Sequence, residues 1–592
     1  MRTTRAALPA VVSAALLGIL LTPAPAFAAG GTVYVDDDWA GATAGSDPDG
    51  AGPATSFGTD AFATVTDAVA AAPDRIELAS GDYVGQLVIP TDVAIVGAGQ
   101  GSTFLTAPPT PAGYTTFWGQ NGIVVVDGAD VVLSGVTIRG PQNGVPFMVG
   151  ALVGGGGSLE LSASTVRGIR DDPFSGAQRG VGVVAGISGG STTGSVTLRD
   201  VLITDFQKLG VVIRQNSSAL IEDTVIEGRG AQCINAANGI QLQGTATVRR
   251  TRVSDNRYAD APSTPGCSGG LAEAVGIRVS WPTGPVLLED NVITGTEVAF
   301  SLSSDPGPGP VLTIRRNQVV GLEDDPIGNP LGDASWGIVS DWARDGGEFL
   351  DNTISRTRYG LLLNGAAEIV SGNSLRGNAT GAQLYATPAR FAANTIVGNT
   401  VGVEGAAVTS GGPNWWGCDD GPGAPGCDTA TPDYTEADWL VLRLELPACT
   451  VTAGQTIPAQ ATLTTTASGV EYTDDTVPST TVSFTGDARV SPTPAGGVTT
   501  DGRLAVLLRG LQAGSAQAEA HADNGIATVP GPACAAFTVL AAAPLLPDTG
   551  ADTAGAPWAL GTVVAGIALV IAAGLIRARD RRLRRDYARG DG

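Results

Sequence analysis

The chain has 592 residues, 83 of them glycine, and carries a formal net charge of −23 at pH 7 from 34 basic and 57 acidic side chains. This length exceeds what one compact hydrophobic core organises, which leaves a multidomain or a repetitive architecture. The negative charge argues against nucleic acid as a partner, because phosphate backbones are bound by basic surfaces.

Residues 1–28 have the three-part layout of a secretory signal peptide. Two arginines precede an apolar run that ends at Leu21, and the small residues Ala26 and Ala28 stand where signal peptidase cleaves. Export to an oxidising compartment allows the 6 cysteines of the chain to form disulfides.

One short helix is predicted ahead of the strands. Apolar residues between Asp60 and Ala72 fall three or four positions apart, with Asp60 as a plausible N-cap. Segments 75–78, 86–89 and 93–96 then alternate as short strands. A single helix before a run of strands is expected to cover the open edge of the first coil, where unpaired backbone groups would invite association.

The clearest internal repeat lies between Gly337 and Gly402. Each unit opens with Gly and a short apolar run, closes on Asn-x-Ile or Asn-x-Leu, and is 21 to 23 residues long. Two short strand-like segments per unit leave no room for a helix, so the repeat predicts a solenoid of parallel strands with loops inserted at its turns. The asparagines that close successive units are predicted to form a structural ladder rather than a binding site: Asn291, Asn317, Asn352, Asn373 and Asn394.

These coils, the preceding helix and the closing Asn414-Trp415-Trp416-Gly417 resemble the right-handed parallel β-helix proteins of the pectin-lyase-like superfamily. The resemblance covers about residues 32–425 and implies an all-β fold, with a parallel β-helix over residues 29–428. It also raises the question of catalysis, because many members of that superfamily cut acidic polysaccharides.

Catalytic residues of that superfamily are only weakly matched. Its hydrolases use paired Asp with Gly-His-Gly and Arg-x-Lys, whereas its lyases use carboxylate-bound Ca²⁺ with an Arg or Lys base. The single histidine, His521, lies outside the coils, and the single lysine, Lys208, lies in neither motif. Acidic loop residues beside an Arg such as Arg214 or Arg278 are the candidates left for holding Ca²⁺ and moving a proton: Asp171, Asp172, Asp324 and Asp325. The alternative is that these acids are scattered surface charge and that the protein uses no metal or other cofactor.

Residues 433–541 follow a different pattern. Six segments alternate with period two between turn residues, which predicts a small Ig-like β-sandwich, the alternative being a Thr-rich disordered stalk. The six cysteines allow fifteen pairings, of which nearness along the fold favours Cys233–Cys267, Cys418–Cys427 and Cys449–Cys534.

Residues 546–592 carry a short motif, an apolar stretch over 559–576 and an Arg-rich tail. The stretch is long enough to span a bilayer once, and the tail's positive charge would hold it in the cytoplasm. This order resembles the cell-wall sorting signal of Gram-positive surface proteins, whose LPXTG pattern is matched by Leu546, Pro547, Asp548, Thr549 and Gly550. The resemblance implies that a sortase cleaves after Thr549 and joins it to a peptidoglycan precursor, which places the mature protein on the cell wall.

Two classes of function follow from these patterns. The chain is a non-catalytic scaffold or adhesin that binds glycans or neighbouring surfaces, or it is a wall-tethered polysaccharide lyase or glycoside hydrolase. An enzyme is expected to bring acidic residues and an arginine together on one parallel sheet, whereas a scaffold is expected to spread them.

Overall fold

A computed structural model describes residues 31–543 except 233, 259–272, 306–308, 323–334, 342–346, 366–367, 406–407, 410–411, 475 and 532–533. The predicted signal peptide, sorting motif and apolar span lie outside the described residues, as do Asp324, Asp325, Cys233 and Cys267. In the part that is described, no helix is both long and apolar enough to cross a membrane.

Strands dominate this part of the chain and build a parallel β-helix of three sheets. Sheet 1 is formed by Thr32–Val35, Arg75–Leu78, Val93–Gly97, Asp130–Ser134, Ser218–Glu222, Thr245–Arg249, Val286–Glu289, Leu312–Arg315, Gly347–Leu350, Ile369–Ser371 and Arg390–Ala392, with Ala61–Phe62 at its edge. Sheet 2 is formed by Gly81–Val84, Thr103–Thr106, Thr137–Arg139, Val225–Gln232, Arg252–Tyr258, Val292–Thr294, Gln318–Val320, Thr353–Ser355, Ser374–Arg376 and Thr395–Val397. Two longer strands, Ser158–Arg167 and Ser195–Thr204, run through both sheets.

Sheet 3 has twelve strands, all parallel. They are Leu87–Ile89, Asn121–Asp127, Met148–Gly154, Val181–Ala185, Leu209–Ile213, Asn238–Leu242, Val275–Ser280, Val298–Ser303, Trp336–Asp341, Tyr359–Leu363, Thr380–Leu384 and Val401–Gly405. Equivalent residues pair from coil to coil, so that Ile240 faces Ile277 and Ile277 faces Phe300. The inward side chains therefore stack into one continuous apolar core along the axis.

The Gly that opens each repeat lies at the start of a sheet 3 strand, where the backbones of successive coils approach closely. A Cβ atom at Gly337 would lie 2.2 Å from the carbonyl oxygen of Gly360, and one at Gly360 would lie 2.4 Å from that of Gly381. A side chain has no room in this column, which explains why the repeat opens on glycine.

A ladder of buried asparagines follows the corner between sheets 1 and 2. The backbone N–H and the side-chain amide of Asn352 both donate to Oδ1 of Asn373, at 3.0 and 2.9 Å, and Asn373 does the same to Asn394. Asn291 and Asn317 continue the pattern toward the N-terminus. Each rung thereby satisfies a backbone group that the sharp turn leaves without a sheet partner.

The ladder extends one rung further than predicted and ends on a carboxylate. Asn394 donates to Asn414, whose backbone N–H and side-chain amide donate to Glu436 at 2.7 and 3.2 Å. Glu436 also accepts from Trp416 and Tyr434. Burial raises the pKa of Glu436 to about 7, against the effect of these donors. A carboxyl group can accept several hydrogen bonds, so Glu436 is a suitable end for a chain in which every amide donates in one direction.

A second, shorter ladder follows the corner between sheets 2 and 3. Thr357 donates to Asn378, and Asn378 donates to Asn399. Asn399 in turn donates to Asp428 at 3.0 and 2.7 Å from its backbone and side-chain nitrogens. This ladder also ends on a buried acid, and burial raises the pKa of Asp428.

Alternating charges line the outer side of the corner between sheets 1 and 2. Glu222 pairs with Arg199 and Arg249 at 2.7 and 2.6 Å. Farther along, Glu289 pairs with Arg315 and Arg316, both at 2.8 Å. Because a coil that slipped by one repeat would set like charges against each other, these pairs help to fix the stacking register.

The N-terminal helix is shorter than the predicted segment. It spans Val65–Ala70, and Thr64 rather than Asp60 is its N-cap, accepting from the Asp67 N–H at 3.1 Å. The prediction of Asp60 was wrong because its carboxylate is bound by Thr55 and Ser56. The helix packs against the first strands of sheets 1 and 3; its role as a cap stays a prediction.

Residues after the β-helix form antiparallel sheets. One sheet contains Leu440–Glu445, Thr456–Thr466, Arg503–Gly510 and Val490–Thr493, and another contains Gly496–Val498, Thr481–Gly486, Ala518–Ala522 and Gly525–Val529. Thr450–Thr452, Phe537–Leu540 and Gly514–Ala516 form a third, in which the first two strands are parallel. Ahead of these sheets, the short strand Tyr434–Thr435 pairs with Val408–Thr409, and the Tyr434 ring packs against Phe391 and Trp416 at the end of the β-helix.

The β-helix and these sheets belong to one compact unit. Trp415 of the β-helix is fully buried in the apolar core of the sandwich, and its indole N–H donates to Asp523 at 2.8 Å. In return, Asp419 of the β-helix accepts from the backbone N–H groups of Leu442 and Ile526. Each part thus places a carboxylate on donors of the other.

Two disulfides lie within the described residues. Cys418 and Cys427 close a short loop at the end of the β-helix, with a sequence separation of 9. Cys449 and Cys534 link the first and last parts of the sandwich, with a separation of 85.

We expect Asn352→Ala to lower the free energy of unfolding by about 3 to 5 kcal/mol, because two donors of Asn317 lose their acceptor and each buried group left unsatisfied costs roughly 1 to 3 kcal/mol. Denaturant unfolding followed by circular dichroism measures the change. Thr353→Ala alters the neighbouring exposed residue and serves as the control, for which we expect a change near zero. Equal losses in both variants would contradict the structural role of the ladder.

Removal of the Cys449–Cys534 link is expected to destabilise the protein more than removal of the Cys418–Cys427 link. In the chain-entropy model, loops of 85 and 9 residues correspond to about 4.6 and 2.6 kcal/mol. The free energies of unfolding of the two double Cys→Ala variants give the comparison. The reverse order would show that the loop length does not govern their contribution.

Candidate functional site

The predicted acidic candidates Asp171 and Asp172 lie in a loop at the corner between sheets 2 and 3. Arg170 in the same loop pairs with Asp172 at 3.4 Å and with Asp205 at 2.8 Å. Arg229 also pairs with Asp205, and its guanidinium stacks on the Phe174 ring at 4.6 Å. Carboxylates and arginines therefore do meet at this corner, as an enzyme requires, but they meet as ion pairs.

Asp171 is fully committed to holding this loop. Its carboxylate is bound by Arg179 at 2.9 Å and also accepts from Ser175, Gln207 and the Gly144 N–H. Burial would raise the pKa of Asp171, but the hydrogen bonds from Ser175 and Arg179 outweigh it and hold the pKa below its usual value. A carboxylate bound in this way has no free lone pair directed at a ligand, so its arrangement is that of a structural anchor.

An open groove of about 510 Å³ lies beside this loop. It is lined by Thr204, Asp205, Glu227, Gly228, Arg229, Gly230 and Asp255. Asp205 is held by two arginines there, while Glu227 and Asp255 stand on the next two coils. These three carboxylates stand on successive coils, and the described ion pairs of Asp205 are with Arg170 and Arg229.

The outer face of sheet 3 holds a second cluster, which we name the basic strip and define as Lys208, Arg214 and Arg278. Lys208 and Arg214 flank the strand Leu209–Ile213, and Arg278 lies two coils further along. Arg278 alternates with the core residues Ile277 and Val279, and therefore points outward. Lys208 and Arg214 are six residues apart, about 20 Å in an extended strand, and Arg278 lies two coils away, roughly 10 Å, so the three cations share one face of sheet 3.

Neutral groups hold the side chains of the basic strip. Lys208 donates to the Ala236 carbonyl at 2.7 Å, and Arg214 donates to Gln243 at 3.2 Å. Arg278 donates to the Ser280 hydroxyl at 3.1 Å. The buried Nε of Arg214 has no partner in the structure. Across the described ranges, none of the three cations has a carboxylate partner.

Electrostatics mark the strip as unusual. Burial lowers the pKa of Lys208, and the charge of Arg278 lowers it further. Burial also lowers the pKa of Arg214. The arginines along the corner between sheets 1 and 2 differ in this respect, since carboxylates on neighbouring coils neutralise their charge. Within the described residues, the basic strip therefore brings three positive charges together without carboxylates that would neutralise them.

The strip was not recognised in the sequence as a unit, although Lys208, Arg214 and Arg278 were each noted. Residues 208 and 278 are far apart along the chain and become neighbours only through the coil stacking. One signal was available: Arg278 occupies the outward position of the repeat opening Gly276-Ile-Arg-Val, where other coils place Gln241 or Ser301.

A possible metal position lies elsewhere. Among the described residues, Asp36, Asp37 and Asp38 bring carboxylate oxygens within 4.8 Å of one another at the N-terminal end of sheet 1. These side chains are partly or largely exposed, and Asp37 and Asp38 form a 3-10 turn. Among the described residues, this cluster is remote in sequence from the basic strip and from Asp171 and Asp172.

Comparison with known proteins gave one family match and several structural similarities. Similar solved structures include the A-module of the mannuronan C-5 epimerase AlgE4 of Azotobacter vinelandii, at 14% identity and a TM-score of 0.31, covering 63% of this chain and 91% of that one. A mutant tailspike protein of E. coli bacteriophage HK620 with a pentasaccharide gave 11% identity and a TM-score of 0.32, covering 77% of this chain and 87% of that one. The catalytic domain of a GH87 α-1,3-glucanase with nigerose gave 12% identity and a TM-score of 0.29, covering 61% and 63%.

No curated protein matched the sequence. A family model described as "Right handed beta helix region" matches residues 181–401. These residues include the repeats from Gly337 up to residue 401, the longer ladder as far as Asn394 and all three cations of the basic strip. The central coils of the chain are therefore a right-handed parallel β-helix region.

Proposed function

We propose that this protein is a sortase-anchored cell-wall surface protein whose β-helix binds an anionic glycan, without cleaving it, on the basic strip of sheet 3. The observation that carries the proposal is the group of three cations that have no carboxylate partner among the described residues, on one face of a chain with a net charge of −23.

The fold gains nothing from such a cluster. Like charges held close together repel, and partial burial adds a desolvation cost that a carboxylate partner would offset. Acidic side chains outnumber basic ones in this protein, so a partner for each cation is available in principle. A ligand that brings its own negative charge supplies the missing compensation, and the guanidinium fork suits carboxylate or sulfate groups.

The spacing of the three cations indicates the charge density of the ligand. Three cations spread over roughly 20 Å along the strands and roughly 10 Å across two coil spacings match a polymer with sparse negative charge. Double-stranded nucleic acid carries one charge per about 1.7 Å and would meet the acidic remainder of the surface. Screening beyond about 8 Å at physiological salt lets a local basic strip attract a sparse polyanion despite the overall charge. Acidic polysaccharides have this character.

The location is supported by the sequence at both ends. A signal-peptide pattern over residues 1–28 and a sorting-signal pattern over 546–592 would expose residues 29 to 549 on the wall. The short helix Val65–Ala70, in this proposal, shields the first coil from edge-to-edge association. A surface protein in this position is surrounded by polysaccharide.

The second candidate, a wall-tethered polysaccharide lyase or glycoside hydrolase, is favoured by one observation. Burial and the neighbouring Arg278 lower the pKa of Lys208, which increases the fraction of amine able to accept a proton. The acidic partners that such chemistry also needs are absent from the described surroundings of Lys208, since Asp171 and Asp205 are bound to arginines. Binding without turnover therefore fits the geometry better.

Replacing Arg214 or Arg278 by Gln is expected to weaken binding of oligogalacturonate about tenfold each, because a charge-assisted hydrogen bond contributes roughly 1.5 to 3 kcal/mol. Isothermal titration calorimetry on residues 29–549 measures the dissociation constants, with a neutral cello-oligosaccharide as the ligand control. Arg252→Gln makes the same charge change at an exposed position of sheet 2 and is expected to leave the affinity unchanged.

The same preparations, assayed for unsaturated uronate and for reducing ends with and without Ca²⁺, are expected to release no product. Equal weakening by Arg214→Gln and Arg252→Gln would show that only overall charge matters and would refute the binding site. Turnover that is lost in Lys208→Gln or Asp171→Asn would establish the enzyme instead.

Wall attachment is expected to end the protein at Thr549 and to occur one chain at a time. Lys208, the only lysine, donates its ammonium to Ala236 and is partly buried, so the folded surface offers no free lysine for joining chains. Walls digested with a muralytic enzyme should yield a C-terminal peptide that carries a peptidoglycan fragment on Thr549. Released protein that retains Gly550, or a ladder of covalent multimers on a denaturing gel, would contradict this prediction.

A further inference from the structure

An exposed tryptophan lies just after the C-terminal end of a sheet 3 strand, beside the basic strip. Trp281 directly follows the strand Val275–Ser280, which carries Arg278, and 46% of its surface is accessible to solvent. Among the large apolar side chains that are exposed in the described ranges, it is the only tryptophan. A ring of this size that leaves nearly half its surface in water contributes only part of its apolar area to the fold.

The backbone of Trp281 is held in an unfavourable conformation. Its φ of 47° lies in the left-handed region, which a bulky residue adopts only when its surroundings impose it. Interactions on both sides of Trp281 along the chain account for this backbone conformation. The Trp281 N–H donates to the Ser303 carbonyl of the next coil at 2.9 Å, and Pro282 follows directly with its fixed φ.

The loop after Trp281 is braced across two preceding coils. The Thr283 N–H donates to the Gln243 carbonyl at 3.0 Å, and the Thr283 hydroxyl accepts from the Asn216 N–H at 2.8 Å. Gln243 is the residue whose side chain accepts from Arg214. The same coil-to-coil contacts therefore fix the indole and one guanidinium of the basic strip relative to each other.

We propose that Trp281 is a sugar-stacking platform next to the basic strip, so that the ligand is an anionic polysaccharide of pyranose rings and not a polyol phosphate or another flexible polyanion. This inference rests on the proposed glycan-binding function. A pyranose ring has a flat face of C–H groups, which packs on an indole with loss of apolar surface to water, whereas an open polyol chain has no such face.

Spacing along the strand agrees with this assignment. Arg278 and Trp281 are three residues apart, so their Cα atoms lie at most about 10 Å from each other. That distance is roughly the length of a disaccharide, so one ring can stack on the indole while an acid group of the neighbouring sugar reaches the guanidinium. Arg278 then supplies the charge recognition, and Trp281 distinguishes a ring from a flexible chain.

The test compares two ligands on full-length mature protein, residues 29–549. Oligogalacturonate provides pyranose rings with carboxylates, and polyglycerol phosphate of equal charge provides charge without rings. Trp281→Ala is expected to raise the dissociation constant for oligogalacturonate about tenfold and to leave that for polyglycerol phosphate unchanged. Trp281→Phe, which keeps a stacking face, is expected to restore most of the affinity.

Phe147→Ala is the matched control. Phe147 is also an exposed aromatic residue, 65% accessible and with a φ of 45°, but it precedes a strand of sheet 3 four coils away from Arg278. We expect its replacement to change neither affinity. Thermal unfolding of each variant shows that the fold is retained.

The outcomes separate this inference from the function on which it rests. If Arg214→Gln weakens oligogalacturonate binding but Trp281→Ala does not, the platform is refuted and the glycan-binding function stands. If Trp281→Ala weakens both ligands equally, its effect is not ring-specific and the inference is again refuted. If Arg214→Gln has no effect on either ligand, the binding function itself fails.

Discussion

Everything in this structure depends on the requirement that each coil pair with the next in register. A parallel solenoid has no other way to satisfy its backbone, because every strand has its partners one coil away. The corners are the critical points, since sharp turns leave N–H groups that no sheet accepts. The asparagine ladders satisfy those groups, and they do so in one direction, each amide donating toward the C-terminal end. The carboxyl groups of Glu436 and Asp428 accept the last hydrogen bonds of the two series.

This constraint explains which parts of the fold the sequence made predictable. The opening Gly and the closing Asn recur because a close backbone approach and an unsatisfied corner recur, so a simple pattern search finds them. The ends of the ladder escaped prediction, because Glu436 lies outside the repeat and joins the series only in space. The N-cap at Asp60 failed for a similar reason: Thr55 and Ser56 compete for its carboxylate, and spacing alone does not reveal competitors.

The candidate site, too, could be predicted from the sequence only in part. The repeat pattern reveals which residues point outward, and this places Arg278 on the surface of sheet 3. The pattern does not reveal which outward residues of distant coils become neighbours, because inserted loops vary the number of residues per coil. Asp171 illustrates the converse case, since an acid beside an arginine in a loop has the composition of a catalytic residue. Only the structure shows that Arg179, Ser175 and Gln207 occupy its lone pairs.

If the protein is held at its C-terminal end, as proposed, the Cys449–Cys534 disulfide has a mechanical consequence. Tension that enters through the strand Phe537–Leu540 reaches Cys534 and passes across the sulfur bridge to Cys449 and the β-helix. The 85 residues between the two cysteines, about 290 Å of extended chain, are thereby excluded from the load path. Under shear the sandwich would transmit force as a short, inextensible tether, while most of its own strands remain unloaded.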